Sequence, residues 1–291
     1  MMVNLLQAET ATTVATRFVE TGGRRIAYRQ IGEGPALILA LRFRGVMDSW
    51  DPLFLDTLAE EKTVITFDYS GMGRSSGTAS YQSESLAKDI LDLADALGLE
   101  QFELGGWSIG GTAAQVVSAQ HPERVRHLIL IGTAPPGRND AGPEPIFFER
   151  ALKPENDLDD ETVLFFEPAS EQSREAAWQS RSRIEQRIVE DRCPPIGPDL
   201  FLPLLQERTE TGDGDMFADR GGYRDKLART SIPILVLTGD HEIVFPARNW
   251  FDVVREWRSL HLIVLPQMGH GPQQQAPVFV GRLVLDFVNS R

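Results

Sequence analysis

Residues 105–111 read Gly-Gly-Trp-Ser-Ile-Gly-Gly, with Ser108 at the centre and glycine at four of the seven positions. The short apolar run Phe102–Leu104 precedes this stretch, and a helical pattern, Thr112–Gln120, follows it. Glycine is demanded where a Cβ would collide or where the backbone must turn in a way that a side chain forbids. Gly106-Trp107-Ser108-Ile109-Gly110 has the spacing Gly-x-Ser-x-Gly, and its strand–turn–helix setting predicts a strained elbow at the carboxyl edge of a sheet. Such an elbow pushes the serine Oγ out towards a substrate. It also puts the backbone N–H of Ile109, at a helix start, where it can donate to an oxyanion. A phosphate loop does not fit, because the stretch has neither a Gly-Lys-Ser/Thr ending nor Gly-x-Gly-x-x-Gly spacing.

The bulk of the chain narrows the partners. Its 291 residues include 42 Asp and Glu against 29 Lys and Arg, a net charge of −13. An acidic surface repels phosphate backbones and is not drawn to anionic lipid, so the expected partner is a small molecule and neither nucleic acid nor membrane. The expected assembly is a monomer or homodimer. A single cysteine, Cys193, excludes an intrachain disulfide and fits a reducing, cytoplasmic compartment. The first residues, MMVNLLQAETATTVATRF, have no basic start and no long apolar run, so they do not read as a signal peptide. No stretch reaches the roughly 18 apolar residues of a membrane span. Five histidines and one cysteine occur without His-x-x-x-His or Cys-x-x-Cys spacing, so no metal site and no cofactor are expected.

Short apolar runs alternate with helical patterns along the chain. Arg17–Glu20 and Arg24–Gln30 flank Thr-Gly-Gly and predict a hairpin. Ala36–Leu41, Val64–Phe67, Phe102–Leu104, Leu128–Ile131, Ile234–Thr238 and Leu260–Leu265 are apolar on both faces, as parallel strands covered by helices are. Leu86–Leu99 has apolar residues at helical spacing, with a stop signal at Gly98, and Val278–Val288 closes the chain as another helix. This alternation predicts an α/β fold with a mostly parallel sheet and right-handed crossovers. Between about Pro135 and Arg229 the rhythm breaks. That region is rich in Glu, Asp, Arg and Pro, with helical pieces such as SREAAWQSRSRIEQRIVEDR. The expected division is a core of residues 1–134 and 230–291 with a helical insertion over 135–229.

A serine hydroxyl is a poor nucleophile and needs an adjacent base that is itself oriented by an acid. His270 lies in VLPQMGHGPQQQAP, just beyond the last strand, with glycine on both sides, so its ring can project over the sheet edge. His261 starts an apolar strand and reads as structural, whereas His121 and His127 flank Pro-Glu-Arg, where a surface role is expected. His241 is adjacent to the candidate acids and has no such loop. Those acids, Asp240 and Glu242, follow strand Ile234–Thr238 in LTGDHEIVFP. Asp240 is one residue past the glycine and suits a turn cap.

With the elbow, the acid segment and the histidine loop in this order, the chain resembles the α/β-hydrolase fold superfamily. The likeness is to its esterase, cofactor-free haloperoxidase and C–C-hydrolase members and runs over nearly the whole length. The resemblance implies an eight-stranded-type sheet with helices on both faces, and it makes the insertion a cap. In that group the acid segment usually reads Gly-x-x-Asp-x-x-x-Pro, which places the acid on Glu242, with Asp240 as the alternative. It also places Asp68–Ser76, DYSGMGRSS, as a loop that shapes a turn. The first oxyanion loop of the family reads His-Gly-x-Pro. Here the stretch is Leu41-Arg42-Phe43-Arg44-Gly45, which gives Phe43 the position whose N–H completes the oxyanion hole. A backbone donor survives this change of side chains. Arg42 and Arg44 then have two readings. One points into the pocket and pairs with a substrate carboxylate or polar oxygen, or both pair with Asp48, Asp51 or Asp68 and hold the loop. Motif position also puts Arg42, Trp107 and Val244 at the substrate.

The resemblance implies a metal-independent hydrolase of an ester or lactone, with Ser108 as nucleophile, His270 as base and Glu242 as the orienting acid. Perhydrolysis or C–C bond hydrolysis on the same residues is the alternative, as is a non-catalytic small-ligand-binding protein of this fold. A haloalkane-dehalogenase-like or epoxide-hydrolase-like reaction is excluded, because those need an aspartate at the elbow.

Overall fold

The computed structural model of the chain describes residues 9–211 and 217–290. Residues 1–8, where the reading for a leader begins, lie outside the described residues, as do residues 212–216 of the expected insertion. Strands β1 (Arg17–Thr21) and β2 (Arg24–Ile31) form the expected hairpin. Its turn is Gly22-Gly23, with φ of 55° and 75°, the left-handed pair that a tight two-residue hairpin requires. The chain continues through β3 (Ala36–Ala40), β4 (Thr63–Phe67), β5 (Phe102–Trp107), β6 (Val125–Ile131), β7 (Ile234–Gly239) and β8 (Leu260–Leu265). These make one eight-stranded sheet in the order β1-β2-β4-β3-β5-β6-β7-β8. Only the β1–β2 and β2–β4 pairings are antiparallel. Every residue of β5 and β7 is buried, the burial expected of parallel strands covered on both faces.

Helices α1 (Pro52–Ala59), α2 (Ser83–Ala96) and α3 (Ile109–Gln120) link the first strands. Five follow between β6 and β7: α4 (Pro145–Ala151), α5 (Leu158–Phe165), α6 (Glu171–Ile184), α7 (Pro198–Thr211) and α8 (Tyr223–Ala228). Short turns α9 (Val253–Glu256) and α10 (Pro272–Gln275) precede the closing helix α11 (Pro277–Asn289). Among the described residues 132–233 contain no strand, in line with the break in pattern.

Helix boundaries follow local chemistry. α2 ends one turn earlier than its apolar pattern, at Ala96, and Gly98 takes φ 69° just beyond it while the Leu99 N–H reaches back to the Ala94 carbonyl at 2.9 Å. α6 stops at Ile184 although its helical sequence runs on to Arg192. The residues beyond it leave the helix to build an ionic cluster. Asp191 binds Arg187, Arg74 and the Thr16 hydroxyl, and Asp48 binds Arg29 on β2. Asp51 forms a second tie. It caps α1 through the Leu53 N–H at 2.9 Å and also accepts from Ser180 Oγ and Arg183 Nη2 of α6, each at 2.7 Å. Asp68 acts as a turn-former, as the resemblance implies, accepting the Met47 and Arg74 N–H groups at 2.7 and 2.8 Å.

One buried ion pair crosses the sheet base. Lys62 Nζ lies 3.0 Å from Glu103 Oε1, with both side chains only 3% exposed. Removing one partner strands the other charge away from water. Lys62→Met is therefore expected to lower unfolding free energy by about 3 kcal/mol or more. Adding Glu103→Leu is expected to recover most of that loss in a urea titration.

Candidate active site

The chain passes from β5 to α3 through a single residue. Ser108 is neither strand nor helix and sits at φ 58°, ψ −123°, a conformation that costs an L-residue about 1–3 kcal/mol. Its N–H is held by the Ile131 carbonyl at 2.9 Å, and its own carbonyl accepts from Gly111 at 2.9 Å. The glycines make this seam possible. A Cβ on Gly106 would overlap the Gly110 carbonyl, and one on Gly110 would overlap the Ala40 carbonyl at the end of β3. The Ser108 hydroxyl does not cap α3, so it is left for the space above the sheet edge.

That space is a cleft of about 340 Å³ whose lining includes Ser108, His270, Arg42, Phe43, Phe147 and Phe165. His270 lies between β8 and α10 and is 3% exposed. Its Nδ1 is 2.6 Å from Oε2 of Glu242, whose side chain is fully buried. The other carboxylate oxygen of Glu242 accepts the Val244 and Phe245 N–H groups at 2.7 and 3.2 Å. With Nδ1 donating to a carboxylate so held, Nε2 keeps its lone pair for a proton. Trp107 Nε1 donates to the His270 carbonyl at 2.9 Å, and the Phe165 ring stacks over the imidazole at 6.2 Å and 24°.

Asp240, the alternative acid, is not brought to His270. It meets His241 Nδ1 at 2.6 Å, and His241 in turn approaches Glu167 of the insertion at 3.4 Å. The Asp240 hydrogen bond pushes the His241 pKa up. His261 packs edge-on against Phe287, in keeping with a structural role. His127 is not on the surface but sits between Glu103 and the Phe287 ring, mostly buried.

The N–H groups of Phe43, which lines the cleft, and of Ile109, the first residue of α3, have no protein acceptor among the described residues. Two expectations about substrate contact are corrected. Trp107 is fully buried and stands behind the cleft against Trp50 and Phe165, and its indole serves the His270 backbone. Val244 packs with Ala134 and Phe245, and its N–H serves Glu242. Nor do Arg42 and Arg44 pair with the nearby acids. Asp48 pairs with Arg29, Asp51 with Arg183, and Asp68 takes backbone N–H groups. Arg44 instead donates to the carbonyls of Ala151, Lys153 and Pro154 at 2.7–2.8 Å.

Two contributors carry weaker sequence signals. Gly132 ends β6 at φ 49°, and a Cβ there would sit 3.0 Å from His270 Nδ1 and 3.1 Å from Glu242 Oε2. A glycine directly after a buried strand is the signal that could have found it. Phe165, at the end of α5, has none, since nothing local says that this ring reaches across the sheet edge. Among the described residues one carboxylate group is close enough to share a cation: Asp157, Asp159 and Asp160 at the start of α5. Its members are otherwise engaged, because Asp157 caps the helix and Asp160 pairs with Arg150 and Lys153.

Comparison with known proteins shows the family. Residues 43–277 match the model of the α/β hydrolase fold family, and the chain belongs to that family. A dihydrolipoyllysine-residue acetyltransferase component of an acetoin cleaving system from Pseudomonas putida is 29% identical over 97% of this chain and 71% of its own. A proline iminopeptidase from Pestalotiopsis fici is 26% identical over 87% of this chain and 92% of its own. Among solved structures, an α/β hydrolase fold protein from Chitinophaga pinensis superimposes with a TM-score of 0.84 at 25% identity, covering 97% of this chain and 100% of that one. The fold and these relatives support a hydrolase enzyme. No helix among the described residues is long and apolar enough to cross a membrane.

Gly132→Ala tests the space left for the imidazole–carboxylate pair. The added methyl is expected to break the short Nδ1–Glu242 hydrogen bond in a folded protein. The readout is loss of the far-downfield imidazole N–H resonance in proton NMR, with circular dichroism reporting the fold.

Proposed function

We propose that this chain is a metal-independent serine hydrolase that cleaves an ester or lactone of a small, partly apolar substrate. The observation that carries the reading is the strained Ser108 opening onto the same cleft as His270, whose far nitrogen is fixed by buried Glu242. In this reading Ser108 Oγ attacks the carbonyl carbon while His270 Nε2 takes its proton. The N–H groups of Phe43 and Ile109 hold the oxyanion. As the tetrahedral intermediate collapses, the C–O bond to the leaving alkoxide breaks and the proton passes to it. Water then attacks the acyl-enzyme with His270 as base, and the proton returns to Ser108. Glu242 holds the imidazole in the required tautomer and stabilises its cation.

Residues 135–229 act as the cap over a core of 1–134 and 230–291. Support comes from the cleft wall, since Phe147, Ala151, Asn156, Leu164 and Phe165 all belong to that segment and all but Asn156 are apolar.

Hydrolysis of a p-nitrophenyl acyl-ester series and a lactone panel tests the reading. Ser108→Ala and His270→Ala are each expected to lower kcat by about 10³-fold or more, and Glu242→Gln by at least about 10²-fold. Retention of most activity in Ser108→Ala sinks the assignment.

A further inference from the structure

The cleft is lined by cations and by no carboxylate. Among its lining residues Arg42 and Arg44 are the only permanently charged side chains, and none is a carboxylate. This is unusual ground in a chain of net charge −13. Arg44 is spent on the 151–154 carbonyls, and its guanidinium lies 4.1 Å over the Phe201 ring. Arg42 is different. Its one hydrogen bond among the described residues runs from Nη1 to the Phe43 carbonyl at 2.7 Å. Its Nε is sealed from solvent and has no partner. Its guanidinium carbon lies 5.2 Å from the centre of the Trp107 ring and 4.5 Å from that of Phe165, so two aromatic rings hold it in place. Burial pulls its pKa down to about 10, partly offset by the charge of Glu161, which leaves it cationic at neutral pH. The acids behind it also serve other arginines. A second cavity beyond Arg42 is lined by Glu161 and Asp48, but Glu161 lies 3.3 Å from Arg181, and Asp48 pairs with Arg29.

A planar guanidinium has five N–H donors in a fork that fits a carboxylate. Arg42 spends one of them on protein. Its neighbour in sequence, Phe43, offers the N–H proposed for the oxyanion, and both residues line the cleft together with Ser108. We propose that Arg42 is the specificity residue of this site and that the substrate is an ester or lactone bearing a free carboxylate, which Arg42 binds. This rests on the hydrolase reading for turnover, though not for binding.

The test pairs charged and neutral esters of equal length. Monomethyl esters of succinic, glutaric and adipic acids are compared with methyl esters of the corresponding unbranched fatty acids, and acetoxy-carboxylates with simple alkyl acetates. The wild type is expected to favour the charged member of at least one pair in kcat/KM by about tenfold or more. That ratio should collapse in Arg42→Met and survive in part in Arg42→Lys, which keeps the charge and serves if the Met variant fails to fold. A merely structural arginine would lower both members together and leave the ratio alone. Calorimetric binding of the same pairs to Ser108→Ala, with and without Arg42→Met, gives the answer free of chemistry. Equal affinity for charged and neutral esters overturns the proposal, as does a preference that outlives Arg42→Met. Turnover without discrimination overturns it and leaves the hydrolase reading standing. Discrimination in binding without any turnover supports it and sinks the hydrolase reading instead.

Discussion

The structure depends on how closely α3 is pressed against β3 and β5. Two carbonyls, those of Ala40 and Gly110, occupy the places where side chains on Gly110 and Gly106 would go. That contact brings the start of a helix to within one residue of the end of a strand. The residue between them, Ser108, must then turn with φ 58°, and its side chain can only leave the sheet edge. The strain at Ser108 is thus a consequence of packing, borne by a fully buried β5 and a nearly fully buried α3. A serine on a looser turn would have no fixed direction for its oxygen.

The same economy of space governs the imidazole and carboxylate. Glu242 is a fully buried acid, which is costly unless every lone pair is engaged. Two backbone N–H groups and His270 supply those partners, and Gly132 yields the volume in which they meet. The aromatic rings of Trp107, Phe165 and Phe245 stand around His270 and keep bulk water from competing for the hydrogen bond. The longer side chain of glutamate, in place of the family's usual aspartate, is accommodated because the Val244 and Phe245 N–H groups lie where its near oxygen falls.

Much of this was legible in order and type, less in extent. The runs at Ala36, Val64, Ile234 and Leu260 are strands because their patterns leave no polar face. β5 reads three residues short because Gly105 and Gly106 resemble loop, yet they stand in register with Leu39 and Ala40. β6 reads short because Arg126 and His127 interrupt its apolar run. Ser108 and the glycine-flanked His270 were marked by local spacing. The preference for Glu242 over Asp240 rests on resemblance, and it is Glu242 that lies 2.6 Å from His270. Trp107 and Val244 were misplaced because motif position gives nearness and not orientation. The partners of Arg42 and Arg44 were illegible for another reason. Which acid an arginine meets depends on who else claims that acid, and Arg29, Arg183 and two backbone amides had prior claims.

Among the described residues, the helical segment between β6 and β7 contributes no strand to the sheet. Insertions and substitutions there carry no register penalty, whereas a one-residue slip in β5 or β7 would turn each side chain to the wrong face. The segment is tied to the core at many points, among them the Asp51 and Asp191 clusters, the carbonyls grasped by Arg44, the Phe165 carbonyl held by the Gly271 N–H and the Glu144 N–H on the Ile243 carbonyl. Between such ties its solvent-facing positions are less constrained than the elbow below. Descendants of this chain could therefore change what they admit long before they change what they do to it.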